Sequence, residues 1–141
     1  MELLNQKLKR AFDLTVDLAE SLSQEHLKLK LPDLPSNSIG HQFWCVIGAR
    51  ESFFNAIQQD KWIGFDCSLS DPTSKNEIIH CLNSTSNDLQ TYLSEHELSE
   101  TQLDFLLNLL EHEIQHHGQL IRYIYGNRLK FPQSWNERYT V

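Results

Sequence analysis

Two histidines, His112 and His116, stand four residues apart in the stretch Leu106 to Tyr125, LLNLLEHEIQHHGQLIRYIY. On a helix, residues at that spacing lie about 40° apart around the axis with Cβ atoms roughly 5–6 Å apart, so both imidazoles can close on one metal ion. The segment His112-Glu113-Ile114-Gln115-His116 also matches H-E-x-x-H, in which two histidines bind zinc and the glutamate activates the metal-bound water. Glu113 lies about 100° from His112 around the helix, so the spacing speaks more strongly for the histidines as ligands than for the glutamate as base. The plain alternative is two histidines hydrogen-bonded in a polar cavity.

The helix that positions the pair has a clear start and stop. Ser99 followed by Gln102 is a capping-box pattern, and Gly126-Asn127 supplies a C-terminal stop. Leu103, Leu107, Leu110, Ile114, Ile121 and Ile124 repeat at helical spacing on one side. Phe105, Leu109, Leu120 and Tyr123 repeat on the other, together with both histidines. A helix apolar on two sides reads as an interior helix. An unpaired imidazole there is costly, so a metal or a hydrogen-bonded partner is expected.

The rest of the chain supplies the scaffold. Leu4, Leu8, Ala11, Thr15, Leu18 and Leu22 mark a first amphipathic helix over residues 3–28, ended by the prolines at 32 and 35. Ser36, Asn37 and Ser38 offer N-caps for a second helix to about Gln59, with Ile39, Phe43, Val46, Ile47, Phe53, Phe54 and Ile57 as its core stripe. His41, Cys45, Gly48 and Ser52 share another face, where small side chains leave room for a ligand cleft or for close helix packing. Trp62, Phe65, Cys67 and Leu69 suggest an ordered loop with inward anchors. Asp71-Pro72 reads as the start of a third helix reaching about Glu95. The tail after Arg128, with Phe131, Pro132, Trp135 and Tyr139, is aromatic enough to pack back on the helices. Four long helices and no strand signal predict an all-α, antiparallel four-helix bundle.

Length and composition narrow the classes. A chain of 141 residues with 40% apolar content reads as one domain, residues 1–141. A net charge of −7 and the lack of a basic stripe argue against a nucleic-acid partner. The absence of an 18-residue apolar run or a signal-like N-terminus argues against a membrane, and the expected location is cytoplasmic. Cys45, Cys67 and Cys81 are an odd number in a chain that needs no staples, so reduced thiols are expected.

Beyond the pentapeptide, the sequence resembles the DinB/YfiT-like superfamily of metal-dependent four-helix bundles. That family ends its last long helix in a pattern like H-x-x-x-H-R-G-Q-L. His112, His116, Gly118, Gln119 and Leu120 match it, with His117 in the arginine's place. Ser38-Ile39-Gly40 resembles the start of the family's second helix, which carries a third metal-binding histidine. Cys45 occupies that position here, and His41 lies one turn earlier on the same face. The resemblance thus implies a divalent ion (zinc, nickel or iron) held by His112 and His116, with His41, Cys45 or both completing the site. It covers the whole chain in helix order, with its motifs confined to two segments.

Three functions follow as expectations. The resemblance implies a metal-binding protein acting as a thiol transferase or related enzyme, with a low-molecular-weight thiol or other small substrate in a cleft between helices two and four. An H-E-x-x-H metallopeptidase with Glu113 as base and Glu137 as third ligand is the second. A closed His41, Cys45, His112, His116 site would instead be a non-enzymatic metal-stabilised module. The apolar excess of the fourth helix, and the pairing common among family relatives, point to a homodimer. His117 reads as a satisfied core or interface histidine, His26, His80 and His96 as solvated, and Cys81 as core. Arg50-Glu51 and Arg122 read as surface or interhelical ion pairs, or an anion clamp. Trp44, Trp135 and Tyr139 read as candidates for a pocket mouth or interface.

Overall fold

A computed structural model describes residues 1–141 and is all-α, with no strand. It contains α1 (Glu2–Ser21), α2 (Ile39–Gln59), α3 (Lys75–Glu95), α4 (Glu100–Gly126) and the short α5 (Gln133–Tyr139). A 3-10 turn spans Glu25–Lys28, after α1. No helix is long and apolar enough to cross a membrane.

The caps decide where each helix begins and ends. Ser38 caps α2, its hydroxyl accepting from the His41 N–H at 3.3 Å, and Ser99 and Gln102 form the expected capping box on α4. α1 stops earlier than its periodicity suggests. Ser23 and His26 bond to each other's backbone N–H groups and draw the chain out of the helix. The break also lets both Leu22 and Leu27 enter the core; on one continuous helix they would lie about 140° apart. α3 starts later than expected, because the Asp71 carboxylate bonds the Thr73 N–H and hydroxyl in a local turn while Ser74 takes the cap.

α1 and α2 each pack against both α3 and α4. Partners along α2 and α4 run in opposite order, from Gln42 with His116 to Arg50 with Glu113 and the Ile57 carbonyl with Gln102. These two helices are antiparallel. Arg50 meets Leu82 and Phe54 meets Tyr92, so α2 and α3 run in the same direction. The expectation that all neighbours are antiparallel is therefore corrected. The connection 60–74 makes the parallel pair possible. Extended, it reaches about 50 Å, more than the roughly 30 Å length of α2.

That connection lies along α2 and fills the face on which small residues suggested a ligand cleft. Ser52 Oγ accepts the Asp66 N–H at 2.9 Å and donates to the Asp66 carbonyl at 3.1 Å. A Cβ added to Gly48 would stand 2.3 Å from the Phe65 ring. Gly48 and Ser52 thus serve close packing. Trp62 and Phe65 remain about half exposed against Phe53 and Trp44, so the inward anchor of the loop is Leu69.

The apolar interior comes in two parts. One surrounds Leu18, Phe43, Ile47, Leu82, Ile124 and Trp135, and the other surrounds Leu8, Phe12, Ile57, Leu89 and Leu106. Near where they meet, α1, α2 and α4 each carry a buried polar residue: Thr15, Arg50 and Glu113. The tail packs back as expected, with Trp135 fully buried and its indole N–H donating to the Leu14 carbonyl at 2.6 Å. α4 is less enclosed than its two stripes suggested. The side carrying Leu109, His116, Leu120 and Tyr123 is buried, while Leu107 and Ile114 on the other are exposed.

Candidate functional site

α4 presents two polar sets, one on each side of the same turn. The first is the histidine pair. His112 and His116 lie with ring centroids 4.5 Å apart, as their spacing requires. His116 Nδ1 is 2.7 Å from Gln42 Oε1. An amide oxygen only accepts, so Nδ1 carries the proton and Nε2 keeps its lone pair. The Gln42 amide is itself oriented, donating through Nε2 to Asn37 Oδ1 at 2.9 Å, and that oxygen also accepts from the Tyr123 hydroxyl at 2.5 Å. His112 Nδ1, by contrast, is buried without a hydrogen-bond partner.

Both rings are biased to the neutral form, in which a ring nitrogen can act as ligand. Burial lowers the pKa of His112. Burial, helped by the neighbouring His112, lowers that of His116 to about 4.

Neither helix-two candidate is grouped with this pair into a set of three or more side chains that could hold a metal ion. His41 is exposed at the start of α2, its Nδ1 2.9 Å from the Ser38 hydroxyl. Cys45 is half-buried, with burial pushing its thiol pKa up, which disfavours the thiolate a metal needs. No three His, Cys, Asp or Glu side chains are grouped as they would be to hold a metal ion. Gln42 is the α2 residue that meets the pair, and it follows His41 by about 100° around the helix. Sequence reasoning missed it. Its signal was a polar residue one turn before Val46, in line with the apolar stripe.

The second set is built around Glu113, which is wholly buried. Its carboxylate accepts from Arg50 Nε at 3.1 Å and Arg50 Nη2 at 2.5 Å, and from the Thr15 hydroxyl. Arg50, 1% exposed, also donates to the Leu82 carbonyl at 3.0 Å and stacks 3.7 Å from the Phe12 ring centroid. Burial by itself raises the Glu113 pKa, but the Arg50 charge and hydrogen bonds outweigh it and hold the carboxyl below its ordinary range. Arg50 thus forms the interhelical ion pair that was one of its expected readings, from α2 to α4, rather than a surface pair or an anion clamp. Glu113, expected as the base of a peptidase, is instead an occupied counter-ion with no free lone pair facing solvent. Glu137, offered as a third peptidase ligand, is exposed on α5 and accepts from Gln133 at 2.7 Å.

His117 completes this set as a satisfied core histidine. The single Thr15 proton goes to Glu113, so His117 Nε2 donates to Thr15 Oγ1 at 2.7 Å, and His117 Nδ1 accepts from the Tyr139 hydroxyl at 2.6 Å. The bonds thus run in one direction from the phenol to the carboxylate. Trp135 and Tyr139 are tied into the core by these contacts and do not form a pocket mouth.

A polar cleft of about 410 Å³ opens between α2, α3 and the 60–74 connection, lined by Glu51, Asp66, Ser68, His80, Cys81 and Asp88 among others. Neither His112 nor His116 lines it. Compared with known proteins, the chain matches no family model, no curated protein and no solved structure.

Proposed function

We propose that this chain is a DinB-like four-helix bundle that binds a divalent metal ion through His112 and His116. The observation that carries the reading is His112: a ring 4.5 Å from a second neutral imidazole, with its Nδ1 buried and unpartnered. A buried polar atom without a partner costs about 1–3 kcal/mol, a cost that a ligand or bound solvent removes. These two residues fit a metal; His41 and Cys45 are not grouped with them into a larger ligand set. Coordination positions beyond the two imidazoles therefore fall to water or to a small-molecule donor such as a thiol. A bound ion would supply a Lewis-acidic centre that lowers the pKa of such a donor. His112 and His116 orient it, and the neighbouring Arg50–Glu113 pair adds no net charge.

The test is metal content and calorimetric titration with zinc, nickel and iron(II) in turn. Stoichiometric binding lost in His112→Ala and His116→Ala, but kept in His80→Ala, supports the reading. A folded wild-type protein with no metal dependent on either histidine overturns it. Comparing His41→Ala with Cys45→Ala then shows whether α2 moves a ligand into the site. The peptidase alternative has no support in a glutamate already paired with arginine. The exposed Leu107 and Ile114 on α4 support a homodimer, checked by light scattering at micromolar concentration.

A further inference from the structure

The α2 residue hydrogen-bonded to the histidine pair is Gln42, neither a thiol nor an imidazole. We propose that Gln42 is a positioning residue that locks His116 in the tautomer whose Nε2 is free to ligate. The inference rests on the reading of His116 as a ligand, yet the tautomer itself is a property of the metal-free chain.

The geometry leaves Gln42 little choice. Its side chain is 4% exposed, so both ends of the amide need partners within the protein. Asn37 Oδ1 takes the amide N–H and is shared with the Tyr123 hydroxyl. The carbonyl end is thereby turned to His116 Nδ1 at 2.7 Å. The backbone beneath is fixed too. Gly40 lets α2 approach the connection so closely that a Cβ there would lie 1.9 Å from the Pro72 carbonyl oxygen. The α2 start therefore cannot rotate to bring His41 round in place of Gln42.

The free imidazole of histidine favours the Nε2–H form. Holding the proton on Nδ1 therefore needs an acceptor, and the amide oxygen is the only one bonded to that nitrogen. Ligating histidines typically donate their second ring N–H to such a group, and losing it costs about 10–100-fold in metal affinity.

The experiment follows ring nitrogens by 15N-correlated NMR in metal-free protein, with zinc titration on the same samples. Wild type should show His116 protonated on Nδ1. Gln42→Leu, which removes the acceptor, should shift it towards the Nε2–H form and weaken zinc binding 10–100-fold. Gln42→Glu keeps an acceptor oxygen and should retain the Nδ1–H form. If Gln42→Leu does not fold, Gln42→Met takes its place. An unchanged tautomer in the folded apolar variant overturns the inference, whatever the metal result. A tautomer that shifts as expected in a protein that never binds zinc, nickel or iron(II) upholds the positioning role and overturns only the metal reading.

Discussion

Replacing Glu113 by glutamine tests the buried ion pair at the centre of the fold. The change keeps the volume and removes the charge. In the native core the carboxylate accepts two bonds from Arg50 and one from Thr15, with both members of the pair essentially inaccessible to solvent. In the variant, one oxygen becomes an NH2 group that faces a donor, and Arg50 is left as a buried cation without a counter-charge, held by the remaining amide oxygen, the Leu82 carbonyl, the Thr85 hydroxyl and the Phe12 ring. Hydrogen bonds to charged groups contribute roughly 1.5–3 kcal/mol each, and breaking a buried pair from one side costs about 3–5 kcal/mol. For a chain of this length, that lowers the melting temperature by roughly 10–15 °C. Urea unfolding followed by circular dichroism measures it. The double variant Arg50→Met with Glu113→Leu should recover most of the loss, because removing both partners leaves no unpaired charge. If Glu113→Gln stays within about 1 kcal/mol of wild type at an unchanged denaturant slope, the pair is not the buried, charged contact described.

Stability of the metal-free protein should fall with acidity in two stages, read as urea midpoints between pH 7 and pH 3. Burial holds His116 and His117 at about 4, below the roughly 6.5 of an unfolded histidine. Their contribution is complete above about pH 6.5 and lost towards pH 4, by up to about 1.4 kcal/mol per pH unit for each. Glu113, also below its ordinary range, adds a further loss as pH drops from about 4.3 through its folded value. Tyr139→Phe leaves His117 Nδ1 a buried acceptor without a donor and should destabilise by about 1–3 kcal/mol; an unchanged melting temperature would remove the phenol from the hydrogen-bond chain. Gly40→Ala sets a methyl group against the Pro72 carbonyl, whose backbone has to move, and should cost about 3 kcal/mol or more. A fully stable alanine variant would mean that α2 and the connection are less closely packed.

Features that depend on neighbouring residues were legible in the sequence. Ser99 and Gln102 meet across one turn, so the start of α4 follows from two letters three apart. The same short range makes His112 and His116 neighbours in any helix. Competing local chemistry was harder to weigh. The Ser23–His26 bonds end α1 against its own periodicity, and the Asp71–Thr73 turn delays α3 past a proline that looked like its first residue.

The sequence by itself determined the helical class, the cap of α4, the inward packing of the tail and the juxtaposition of the two histidines, and it narrowed the cap of α2 to three neighbouring residues. Tertiary structure decided what those histidines face. Successive residues on α2 point about 100° apart, so the rotation of that helix against α4 selects Gln42 over His41 and Cys45. No local pattern encodes that rotation. It comes from Gly40 and Gly48 lying against the 60–74 connection, and from Arg50 reaching a glutamate 63 positions along the chain. Glu113 shows the same limit: its spacing suits a base, and its burial beside Arg50, which only the packed helices create, makes it a counter-ion.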